Sequence, residues 1–196
     1  MVDPAYLDVD TGVLTDGEAW VALASESPSA AAAIEWDMRA WTGTQAPSQY
    51  VNLVVIMNAQ DGVTSQATGE IALKINDDGT NSNYDLLLFS GDGGGSFAST
   101  RPAASRIVAE VPAYHGGTTI FGGAIMWFHD INSAKYKTVL IRGAADRDGS
   151  GVSQMRYITW ANTDPIEMLR FGATELNLAA GCQFDLYGLL PRMVTR

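Results

Sequence analysis

Ile34, Trp36 and Met38 alternate with Glu35, Asp37 and Arg39, and this period of two constrains the fold more than any other feature of the chain. Alternation sends successive side chains to opposite faces of an extended strand, so one face of the segment is buried and the other is wet. The period returns in Glu70 to Ile75, with Ile71, Leu73 and Ile75 inward. It returns again in Thr119 to His129, with Ile120, Ala124, Met126 and Phe128 on one parity. Tyr50 to Met57 is β-branched and apolar on both parities, which predicts a central strand. Further strands are expected over Tyr84 to Phe89, Arg106 to Val111, Lys135 to Arg142, Met155 to Trp160 and Gln183 to Leu189. Glu167 to Phe171 with Glu175 to Leu178 is expected as a penultimate strand or pair.

Clusters of Gly, Asn, Asp and Ser separate these runs, as in Asn76 to Asn83 and Asp146 to Gly151, and the chain holds 20 glycines. These are turn formers. Gly122 and Gly123 inside a strand pattern predict a bulge or a close backbone approach. Gly91 to Ser99 reads as a flexible stretch. Two segments have helical character: alanine-rich Ser25 to Ala33, with propensity for a turn or two, and Pro165 to Phe171. Eight or more strands without βαβ alternation predict an all-β fold, an antiparallel two-sheet sandwich of jelly-roll type. No repeat of fixed period is found. Residues 1–18 are acidic and aperiodic and are expected to form an extended N-terminal arm, with the sandwich over 19–196.

Apolar residues make up 46% of the 196, enough for a core, and the formal net charge is −10. Such a surface repels phosphate backbones and anionic headgroups, so neither nucleic acid nor a membrane is expected as partner. Cys182 is the one cysteine and forms no intrachain disulfide. Met1-Val2-Asp3-Pro4 has no basic or apolar leader pattern, and synthesis in a cytoplasm is the expectation.

The ordered second half carries a resemblance. It runs through Lys74-Ile75-Asn76-Asp77-Asp78-Gly79 with Ser82-Asn83-Tyr84, then Ala134-Lys135-Tyr136-Lys137-Thr138, then Thr159-Trp160. Ile166 to Phe171 and Leu176 follow, and the ending is Ala180-Gly181-Cys182-Gln183-Phe184-Asp185-Leu186-Tyr187-Gly188-Leu189. Over roughly residues 30–190 this order resembles the structural proteins of tailed-bacteriophage particles, whose ending has Ser where Cys182 stands. The resemblance implies a component of the virion surface, of head decoration or tail type. The ending is also readable by itself. Gly181 suits a tight hairpin turn at positive φ; Phe184, Leu186 and Gly188 share a parity; Tyr187 points the other way.

Chemistry-bearing patterns are sparse. His115 reads as a loop residue, and His129 ends a strand beside Asp130, without a nucleophile or metal motif around either. Asp8 to Gly12, Asp77-Asp78-Gly79 and Asp146 to Gly149 each match part of a calcium loop. In the last, Ala144 and Met155 stand where the first and twelfth ligands belong, and Asp, Asn and Gly are also ordinary turn residues. Gly91 to Gly95 lacks the Lys-Ser/Thr end of a phosphate loop. It reads as an exposed loop, with Gly93, Gly94 and Phe97 as candidate contacts. Trp36, Trp127 and Trp160 are expected in the core and Trp41 at the surface. No cofactor, metal or catalytic residue is assigned.

Three functions follow as expectations. The first is a non-enzymatic capsid decoration (cement) protein that binds the major capsid protein, with Asp3, Tyr6, Asp8 and Asp10 of the arm as candidate contacts and association as a homotrimer. The second is a tail component that recognises host glycans. The third, the weakest, is a glycan hydrolase, which needs two carboxylates flanking a cleft.

Overall fold

The structure, a computed structural model, describes residues 20–29, 33–62, 68–92, 94–95, 97–100, 105–113, 119–146, 151–173 and 177–190. The expected arm, residues 1–18, lies outside the described residues. Twelve strands are described: β1 (Trp20–Glu26), β2 (Ala33–Asp37), β3 (Asn52–Ala59), β4 (Thr68–Ile75), β5 (Tyr84–Gly91), β6 (Phe97–Thr100), β7 (Ile107–Pro112), β8 (Gly122–His129), β9 (Lys137–Asp146), β10 (Gly151–Trp160), β11 (Met168–Ala173) and β12 (Gln183–Leu189).

They form two antiparallel sheets. The larger has the order β1-β12-β3-β8-β9-β10-β5-β6, and the smaller β2-β11-β4-β7. The pairings are nested: β1 with β12, β2 with β11, β3 with β8, and β4 with β7. A long hairpin rolled over itself gives this nesting, which is the jelly-roll arrangement expected from the sequence. Two insertions modify it. The pairs β5–β6 and β9–β10 both join the larger sheet beyond β8, so that sheet is twice as wide as the smaller one.

The core lies between the sheets and follows the sequence parity. Ile34, Trp36, Ile71, Leu73, Ile75, Phe128, Ile158, Phe184 and Leu186 are all buried in one cluster. Phe171 of the smaller sheet and Phe184 of the larger meet with ring centroids 6.0 Å apart. Gly188 is buried too, and Tyr187 faces outward as its parity requires.

Several expectations are corrected. Ser25 and Glu26 belong to β1 and Met168 to Phe171 to β11, so neither helical segment forms a helix where it is described. Pairing with β12, and with β2 and β4, outweighs a weak local propensity. Phe97 to Ser99, the end of the stretch expected to be flexible, belong to the edge strand β6, which pairs with β5. The β8 register runs without a bulge on both sides. Gly122 instead marks a close approach, since a Cβ there would lie 2.9 Å from Cδ of Pro112. Gly181 does take positive φ, at +94°. It turns the chain between Ala179 and Cys182 rather than within a hairpin, because β11 and β12 lie in different sheets.

Candidate functional site: the outer face of the larger sheet

In a two-sheet sandwich the outward parity of each strand is ordinarily polar. The smaller sheet follows that rule, with Glu35, Asp37, Lys74 and Arg170 on its outer side. The larger sheet breaks it. Cross-strand partners place Tyr187, Val54, Trp127, Leu140, Tyr157 and Leu87 in one line across β12, β3, β8, β9, β10 and β5. The adjacent line is Asp185, Ile56, Ile125, Arg142, Met155 and Phe89. At a strand spacing of ~4.8 Å, six strands make this belt ~24 Å wide.

Much of the belt is open to solvent, although Val54 within it is buried beneath its neighbours. Ile56 is 41% exposed, Leu140 37%, Met155 42% and Tyr157 42%. Asp185 and Arg142 are the charged groups in the two lines. Asp185 is already engaged, accepting hydrogen bonds from Ser25 Oγ at 2.7 Å and Gln183 Nε2 at 2.8 Å. A third line, Gly123, Ala144, Ser153 and Gly91, has almost no side chains and leaves recesses, one of about 450 Å³. On the far side the rim is polar: His129, Thr138, Thr159 and Asp85.

Aromatic rings close one end. Trp20 of β1 meets Trp127 edge-on at 5.3 Å and Tyr187 at 6.1 Å, and Trp127 stacks on His129 at 6.2 Å. Burial in this cluster holds His129 below the usual imidazole pKa, which favours its neutral form. Trp127 was expected in the core. It sits instead on the outer face, half-buried, with its Nε1 closed off from solvent and without an acceptor among the described residues. Trp36 and Trp160 are core residues as expected, and Trp41 is half-buried against the core rather than exposed.

The other sequence candidates separate. Asp3, Tyr6, Asp8, Asp10, Gly93 and His115 lie outside the described residues. Gly94 is exposed, its N–H bonded to Asp92 Oδ1 at 2.9 Å. Phe97 is 72% exposed, and its ring stacks on Phe89, so it extends the apolar belt onto the edge strand. Asp78, of the second calcium-like motif, is occupied by Trp160, Asn83 and Thr80. Among the described residues no cluster of acids, His and Cys is arranged to hold a metal ion.

No single strand spells the belt, because it forms only where six strands lie side by side. Its signal is present in Tyr50 to Met57: apolar residues on both parities belong to a strand with two apolar faces, and on the outer one Val54 is buried while Ile56 is exposed. No family model matches the chain, and no curated protein or solved structure matches it.

Proposed function

We propose that this protein is a non-enzymatic structural component of a tailed-phage particle, a decoration protein that lays the outer face of its larger sheet on the capsid shell. The observation that carries this reading is the apolar belt. It is broad, contiguous and rimmed by polar groups, which is the composition of an interface core. It includes Tyr157, Tyr187, Trp127, Met155 and Arg142, residue types enriched in such cores. The occupant follows from charge. The chain carries −10, while its belt holds one acid and one base. A basic shell surface would draw the protein in from a distance, and the neutral belt would make the close contact. The ordered resemblance described above supports the same class of particle. The edge strands β1, β6, β2 and β7 also need cover, and a homotrimer around a local threefold axis on the shell would supply it.

Cosedimentation with purified shells tests the docking face. The double variant L140E/Y157E replaces two exposed side chains, so it should fold normally yet lose binding at least tenfold. A double variant that binds like the parent protein overturns the docking face. A parent protein that does not bind shells overturns the decoration reading itself.

A further inference from the structure

The smaller sheet carries a feature that the docking face does not use. Its outer surface holds a recess of about 270 Å³, with Lys74, Arg106 and Arg170 on its walls and no acid among the described residues that line it. The floor is the cross-strand line Ala33, Gly172 and Ala72, where three neighbouring strands offer almost no side chain. The chain has 12 cationic residues against 22 acids, and three of those cations converge here.

The register makes this convergence costly. Arg170 of β11 and Lys74 of β4 are direct cross-strand partners on one face. Like charges in that relation destabilise a sheet. The nearby acids relieve it only in part. Lys74 Nζ lies 3.5 Å from Asp77, and Arg170 Nη1 lies 3.8 Å from Glu35 and 4.0 Å from Asp77. The Arg170 contacts are too long for hydrogen bonds. Arg106 gives its Nε–H to Asn81 Oδ1 at 2.9 Å, which anchors the guanidinium at the recess it lines.

We propose that this recess is a binding site for the carboxylate of a small sugar acid. Two guanidinium forks and an ammonium suit a planar carboxylate, which an arginine grips through two parallel hydrogen bonds. The volume exceeds that of one small oxyanion but falls below the ~300–1,000 Å³ of drug-sized pockets, so it admits a single sugar ring. The shallow Ala and Gly floor lets the ring settle against the sheet. This site is independent of the docking face and stands whether or not the protein decorates a shell.

Titration of the full chain with glucuronate, glucose and inorganic phosphate, followed by amide NMR, tests it. Glucuronate should give saturable shifts at Lys74, Arg170 and Gly172, and glucose should bind at least tenfold more weakly. Arg106→Ala and Arg170→Ala should each weaken glucuronate at least tenfold while the melting temperature stays within a few degrees. Ala72→Leu, which fills the floor, should block binding. Added salt should weaken glucuronate binding by screening. Absence of saturable shifts, equal response to glucose, or unchanged binding in the arginine variants would overturn the site. Phosphate binding as tightly as glucuronate would overturn the sugar-acid assignment.

Discussion

The indole Nε1 of Trp160, at the end of β10, donates to Oδ2 of Asp78, in the turn after β4, at 2.9 Å. Asn83 Nδ2 donates to the same oxygen and the Thr80 N–H to the other, each at 2.9 Å. The Tyr84 hydroxyl completes the latch, donating to the Asp78 carbonyl at 2.9 Å and accepting from the Ile75 N–H at 3.0 Å. Asn76, with φ of +51°, accepts the N–H groups of Glu167 and Met168 and so ties the same turn to β11. A run of turn residues therefore locks the two sheets together at one end.

Asp78→Ala removes the acceptor of a fully buried indole. It should destabilise the protein by about 2 kcal/mol, the cost of leaving a buried donor unsatisfied. Chemical denaturation gives the value, and a change under 0.5 kcal/mol would mean that the latch is incidental.

The same carboxylate sets an acid limit. Burial pushes the Asp78 pKa up, but the hydrogen bonds from Trp160, Asn83 and Thr80 outweigh burial and hold it below the usual carboxylate range. A depressed native pKa contributes stability above the unfolded value, about 3.9, that is lost as pH falls toward the native one. Melting temperature should therefore drop below about pH 4, and the drop should be shallower in Asp78→Ala. Parallel curves for the two proteins would refute this.

Gly188→Ala should destabilise by about 1–3 kcal/mol through overpacking. A Cβ there would lie 2.5–2.7 Å from Cδ1, Cγ and Cε1 of Tyr50. Cγ is the root of a ring that is 2% exposed, so it cannot swing aside. A variant with an unchanged melting temperature would show that β12 shifts freely.

Leu186→Asp should abolish folding. The side chain is wholly buried in β12, with β1 and β3 on either side. An unpaired buried carboxylate costs several kcal/mol, on the order of the whole stability of a domain. Soluble expression with a cooperative melt would contradict the observed parity.

Inward parity was legible in the sequence wherever one face met the core, as in Ile71, Leu73 and Ile75, because burial imposes the period directly. The residues that carry the phage resemblance, among them Asn76, Asp78, Tyr84, Trp160 and Gly188, hold the fold together, so they speak for architecture more than for a site. Strand order was not legible, since nesting β1 on β12 joins residues some 160 positions apart. β6 was missed because all four of its residues are exposed and no alternation is imposed on them. The two candidate sites are assembled across six strands and three strands respectively, so no single segment spells either.

Lys137 shows where charge misleads such a reading. It opens β9 on the inward parity and is fully buried. Its Nζ donates to the carbonyl oxygens of Ser133 at 2.6 Å, Lys135 at 2.7 Å and Thr163 at 3.3 Å. Burial lowers its pKa, and Asp130 and Asp164 act in the other direction. One ammonium thus binds three carbonyls of exposed or half-buried residues, and it pins the β8–β9 turn to the segment before β11. Lys137→Met keeps the length of the stem and removes all three donors. It should cost about 2 kcal/mol, because three hydrogen bonds from a charged donor are lost. Amide hydrogen exchange should speed up locally at residues 130–136 and 161–164, more than in β3 or β12. Uniform loss of protection across the sheets would show that Lys137 supports the whole core rather than this junction.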